Sequence, residues 1–181
     1  MSLARSQNEK SRARSNSAGF SLVEILVVIM VILIIAAIAI PNLVHGKMRA
    51  NEAAAVASVK TIDTAETLFF DSYPEVGYAT NLASLGSNGT TCETTSSSHA
   101  CIIMDDTLTS GIKSGYIFSI VGNGSTSPIS GYSVTASPSS GLNGHCSVSS
   151  TESGDVHLFL PGGDPVAPTR SLGSGSSGCE L

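Results

Sequence analysis

At 181 residues, 41% apolar and only 13% charged, with a net charge of −5, the chain has room for one domain beyond a single long apolar segment. Its acidity excludes a bulk surface built to hold phosphate backbones, so no nucleic acid is expected as a partner of that surface. The charge is unevenly placed: residues 1–19 carry Arg5, Lys10, Arg12 and Arg14 against Glu9, net +3, and the rest carries five basic and 13 acidic side chains, net −8.

Residues 1–18 are rich in Ser and Arg and lack apolar periodicity, which reads as a basic leader. Residues 20–40 follow as an apolar run, Phe20 to Ile40, interrupted by one acid, Glu24. A helix of that length, rising about 1.5 Å per residue, matches a hydrocarbon core of about 30 Å. The basic block directly before it keeps the N-terminus in the cytoplasm and sends the C-terminal body out. A secretory signal is cut after its apolar region, whereas here the small residue Gly19 stands before it, so a cut at Gly19 leaves the apolar segment in the mature chain. A carboxylate near the start of such a helix costs roughly 2.5 to 3.5 kcal/mol on insertion scales, less when shallow, and calls for a partner.

The stretch from Phe20 to about Phe70 holds no glycine except Gly46 and no proline except Pro41, which predicts one long helix with a bend at Pro41. Its second half is amphipathic. Val56, Val59, Ile62 and Phe69 recur at helical spacing, with Lys47, Asn51, Lys60, Asp63 and Thr67 as polar positions between them. The helix is expected to stop near Asp71 to Pro74, because the residue before a proline avoids helical geometry. Beyond Pro74 the composition shifts to Gly, Ser, Thr and Asn. A loop is predicted over 86–100, then β-like runs over 116–121, 131–136, 146–149 and 155–160, separated by turn signals. The fold class is therefore α+β: a long N-terminal helix packed on a small antiparallel sheet of three or four strands. Cys92, Cys101, Cys146 and Cys179 all lie in the exported part, and an even number in an oxidising compartment implies disulfides. Of the three possible pairings the sequence-local one is preferred, Cys92 with Cys101 and Cys146 with Cys179, worth roughly 3 to 4 kcal/mol each in the chain-entropy model. The Gly-, Pro- and Ser-rich stretch 161–181 would then be fastened by Cys179.

A basic leader, Gly19-Phe20-Ser21-Leu22-Val23-Glu24, about twenty apolar residues and then Pro41 closely resemble the N-terminus of type IV pilins and pseudopilins. The stretch from Asn51-Glu52-Ala53-Ala54-Ala55 to Tyr73-Pro74 is similar to the amphipathic half of such a helix. The resemblance covers roughly residues 15–80. It implies that a prepilin peptidase in the membrane cuts after Gly19 and methylates the new amino group of Phe20. The subunits then polymerise into a helical homo-oligomer through their helices, with inner-membrane assembly machinery as a partner. Glu24 would be compensated in that assembly by the Phe20 ammonium of a neighbouring copy, setting register as a buried polar group does in a coiled coil. Members of the family often carry a glycine in the apolar run where the helix loosens; this chain has none between Gly19 and Gly46, leaving Pro41 as the candidate weak point.

The expected organisation is a cleaved leader 1–19, a transmembrane and filament-core helix 20–40, an amphipathic half-helix 41–72 and an exported body 73–181. Before assembly the protein would be single-pass in the inner membrane; afterwards it would lie in an extracellular filament, or in the periplasm as a secretion pseudopilin. A membrane-tethered monomeric binding module is the alternative from another class. No enzyme is expected, since no acid, base and nucleophile can be assembled from spacing. The Gly173 to Gly178 stretch meets the dinucleotide pattern formally but follows no strand. His45, His99, His145 and His157 are scattered and Cys-x-x-Cys is missing, so neither a metal nor a cofactor is expected. Asp105-Asp106 reads as a solvated turn, and the Asn88 and Asn123 sequons read as surface turns. The aromatic residues, none of which lies between Ser21 and Leu68, read as packing between helix and sheet.

Overall fold

A computed structural model describes residues 20–87, 89, 92–124, 126–160 and Cys179. Its longest element is α1, Leu22–Ser72, which is helical through Pro41. Residues to Ile40 form one unit and those from Pro41 onward form a second. Alanines and straight-chain residues favour the helix across the second half. It ends where Tyr73 precedes Pro74, with a last-turn bond from the Tyr73 amide to the Phe69 carbonyl (2.9 Å) and a Ser72 hydroxyl folded back on Leu68 (2.7 Å). The leader through Gly19 lies outside the described residues, as do residues 161–178.

Within the second unit α1 buries Met48, Glu52, Ala55, Val56, Val59, Ile62, Ala65, Glu66 and Phe69, a stripe with the three- and four-residue spacing of one helix face. It packs on an antiparallel meander of five strands in sequence order: β1 Ile112–Lys113, β2 Tyr116–Asn123, β3 Gly131–Pro138, β4 Ser147–Thr151 and β5 His157–Phe159. Alternation decides which side faces the helix. Tyr116, Phe118 and Ile120 of β2 are buried, whereas Ile117, Ser119 and Val121 are exposed. The register lines Phe118 up with Ala136 and then Val148, and Ile120 with Val134 and then Ser150. Except for Ser150, these join Val59, Ile62 and Phe69 in one apolar core. Phe69, Tyr116, Phe118 and Tyr132 pack in the core between helix and sheet, and the Tyr78 ring contacts Phe70 (4.8 Å) and Tyr132 (4.9 Å).

The sheet has one strand more than the sequence pattern suggested. β1 is two residues long, too short to alternate, and exists because Ser114 and Gly115 both take positive φ (51° and 77°), the mirror-image turn that closes a tight hairpin. Two one-turn helices were also missed: α2, Leu82–Leu85, capped by Asn81, and α3, Asp106–Thr109, capped by Asp105. Single turns carry no periodicity, and only the capping residues announce them.

The segment after α1 is threaded by Gly77. Its φ of +85° is one that side chains rarely adopt, and a Cβ there would run into the Ile129 backbone, to which Val76 and Tyr78 are hydrogen-bonded at 2.8 and 3.1 Å. Gly154 has a similar φ of +74° but open space around it. Gly77→Ala should therefore destabilise the body by about 2 kcal/mol or more and Gly154→Ala by about 1 kcal/mol. Chemical denaturation of the two variants beside the wild type measures the difference, and equal costs would contradict this account of Gly77.

Candidate functional site

Two chemically different surfaces share α1. Along its first half every large apolar side chain is exposed, from Phe20 (78%) and Leu22 (80%) through Ile40 (61%). An apolar surface of this extent is not stable facing water and needs lipid or protein against it. Among the described residues this is the one helix long and apolar enough to cross a membrane. Glu24 is the acid of its first turn, exposed, and placed where the positive end of the helix dipole favours a carboxylate. Its side chain makes no hydrogen bond or ion pair among the described residues. Phe20 stands just before the helix, and Gly19 lies outside the described residues. Pro41 lies inside α1.

Along the second half, acids point inward. Glu52 is almost completely buried, and its Oε1 accepts from the amides of His145 (2.7 Å) and Cys146 (3.3 Å), while the neighbouring Asn51 amide donates to the Asn143 carbonyl (3.0 Å). Asp63 accepts from the Tyr132 hydroxyl of β3 at 3.1 Å and from the Ser150 hydroxyl of β4 at 2.8 Å. Glu66, with no exposed surface, accepts from the Ala79 amide at 2.8 Å. Burial raises the Asp63 carboxyl despite the Ser150 and Tyr132 bonds that oppose the shift. Burial also pushes Glu66 up to about 7, with the charge of Asp63 adding to it and the Ala79 bond opposing. The hydroxyls facing these acids are raised too: Tyr132 by burial and then Asp63, Tyr116 by burial and then Glu52.

The inward set corrects the sequence reading of α1. Of the polar positions that fall between the apolar ones, Asn51 and Asp63 are half-buried and bonded to the body, whereas Lys60 and Thr67 face solvent. Polarity alone would place these acids in water. Their spacing was the available signal: Glu52, Asp63 and Glu66 fall eleven and then three residues apart, on the same face as Ile62 and Phe69.

The structure joins Cys92 to Cys101 and Cys146 to Cys179. Cys146 is held on both sides, its amide by Glu52 and its carbonyl by the buried Tyr116 hydroxyl at 2.8 Å. Asp105 caps α3 through the Thr107 and Leu108 amides and pairs with Lys113 at 2.7 Å, which holds its carboxyl below the usual carboxylate range. Among the described residues no group of three or more His, Cys, Asp or Glu could hold a metal ion.

The model of the prokaryotic N-terminal methylation motif matches residues 14–40. Over 76 residues the chain is 37% identical to the type IV major pilin protein PilA of Myxococcus xanthus (strain DK1622), covering 38% of this chain and 34% of that protein. The match thus spans about a third of the relative's length. No solved structure matches the chain. A methylation motif leading into an apolar stem, with the same helix continuing onto an antiparallel sheet, defines the class of proteins that share the type IV pilin N-terminus and fold. These likenesses and the α+β architecture support a type IV pilin-like reading of the chain, without separating a pilin from a pseudopilin.

Removing the Glu52 carboxyl leaves the amides of His145 and Cys146, the second of them buried, without their acceptor. Glu52→Ala should destabilise the body by about 1 to 3 kcal/mol, and Glu52→Gln, which keeps an acceptor oxygen, by less. Denaturant titration of full-length protein in detergent, with the disulfides intact, checks the order of the two variants.

Proposed function

We propose that this chain is a structural subunit of a type IV pilus-like filament. Cleavage after Gly19 and methylation of Phe20 prepare it in the inner membrane, and its stems then bundle as the filament grows. The observation that carries this reading is the uncovered apolar stem with one carboxylate, Glu24, in its first turn. The methylation motif over residues 14–40 and the likeness to a major pilin support it.

Physics gives the stem its role. In lipid, apolar side chains gain little by meeting each other, so helices associate through close packing and through polar groups that find partners. The ammonium of a neighbour's Phe20 gives Glu24 such a partner at the same end of an identical helix. Assembly is then head-to-tail and non-closing, the geometry that yields fibres instead of rings. A pilus subunit acts through self-association, so its role is structural. The acidic body, bearing the disulfides, would be displayed outside.

Two measurements test the proposal. The intact mass of the mature protein should correspond to a chain beginning at Phe20 with one added methyl group and four hydrogens missing for two disulfides. Glu24→Gln should leave cleavage unchanged yet reduce the sedimentable filament fraction at least about tenfold, since losing roughly 1.4 kcal/mol at each contact is already a factor of ten. Normal surface filaments from Glu24→Gln would refute the charge-pair account. A short periplasmic assembly with blocked secretion on deletion would assign the chain to the pseudopilins instead.

A further inference from the structure

Glu66 and Asp63 lie one turn apart on α1 but are differently equipped to hold charge. Asp63 is half-buried, and each of its oxygens accepts a hydroxyl, from Tyr132 and from Ser150. Glu66 is fully buried; one oxygen accepts the Ala79 amide and the other, Oε1, is without a hydrogen-bond partner. The titratable groups that face it are Asp63 on its own helix and Tyr132 from β3, with Tyr78 of the segment after α1 stacked on the Tyr132 ring at 4.9 Å. None of these is a cation. An isolated buried carboxylate with a single hydrogen bond is unfavourable, so of the two acids Glu66 is the one that must hold a proton or be wetted.

Glu66 is tied through the Ala79 amide to a short stretch of backbone that follows α1. Val76 to Ala79 is fastened by the Ala79 bond to Glu66 and by the pair of bonds between Val76, Tyr78 and Ile129. Tyr78 contributes its ring to the stack between Phe70 and Tyr132. The sheet beneath is joined by continuous ladders from β2 to β4 and does not depend on this segment for its register.

We propose that Glu66 is a proton-operated latch: as the neutral acid it keeps Val76 to Ala79 closed over the core, and on ionisation it draws in water and opens that segment while the sheet stays folded. The direction follows from linkage. The closed state raises the Glu66 carboxyl from 4.5 to about 7, so it binds the proton more tightly than the opened state does. Closure is favoured fully below pH 4.5, and the advantage is lost as pH rises through about 7. Pro74, Glu75 and Thr80 are exposed around this stretch, so the surface presented beside the end of α1 changes with the latch.

Hydrogen exchange on the full-length protein in detergent, corrected for intrinsic rates, tests this between about pH 5 and about pH 9. The Tyr78 and Ala79 amides should lose about tenfold or more of their protection across neutrality, while amides of β2 and β3 keep theirs. Glu66→Gln, neutral at every pH, should give a flat profile for the same two amides. A flat wild-type profile, or a Glu66→Gln profile that still falls, overturns the proposal. Should that variant fail to fold, the carboxyl carbon resonance of Glu66 in the wild type decides. A midpoint near 7 with the Ala79 amide titrating alongside supports the latch, and a midpoint near 4.5 overturns it.

Discussion

A carboxylate leaves water only where something replaces its hydration, and the body of this protein is arranged around that requirement. Three acids ride inward on one face of α1, and each meets a donor from a different part of the chain. Glu52 takes the amides of His145 and Cys146, Asp63 takes hydroxyls of β3 and β4, and Glu66 takes the amide of Ala79. Apolar contacts such as those of Val59, Ile62 and Phe69 supply most of the cohesion but tolerate sliding and rotation. Directional bonds at three places along the helix do not. Together they fix which turn of α1 meets which part of the body: Glu52 the loop before β4, Asp63 the strands β3 and β4, and Glu66 the segment after α1.

The covalent links reinforce the same joint. Cys146 is bonded on its amide side by Glu52 and on its carbonyl side by Tyr116, so the half of the Cys146–Cys179 disulfide that lies directly before β4 is held in place before the bond constrains anything else. Gly144 lets the chain pass under the Tyr116 hydroxyl, where any Cβ would collide with it. Tyr116 in turn is completely buried as the first residue of β2. Helix, loop and strand thus meet at one residue pair, and a crosslink placed there restrains a joint that is already ordered.

The helix and four of the strands could be read in the sequence because each has a period. α1 follows from an apolar run and its three- and four-residue continuation, and the end at Ser72 follows from Pro74. β2, β3, β4 and β5 begin or end within about two residues of their sequence signals. What escaped has no period: β1 depends on two positive-φ residues in a turn, and α2 and α3 on single capping side chains. The inward acids were hidden for another reason. Whether Asp63 faces water is decided by Tyr132 and Ser150, residues far along the chain that become its neighbours only once β3 and β4 pair. Sequence carries the spacing of such an acid but not its donor.

Glu24 poses the same physical problem with a different solution. It belongs to an apolar stretch that offers no amide, hydroxyl or cation of its own beyond the helix terminus, and its carboxylate makes no bond among the described residues. An acid in that position is costless in water and costly in lipid or in a bundle of stems, where it calls for a partner. On the proposed reading that partner is the freed amino group of another copy. A surface of Val, Ile and Leu would let neighbouring stems slip past each other, because every offset buries similar side chains. One charge pair per contact removes that freedom. Glu52 and Asp63 align α1 with its own body, and Glu24 would align one α1 with the next by the same rule, that a charge withdrawn from water must find its counterpart.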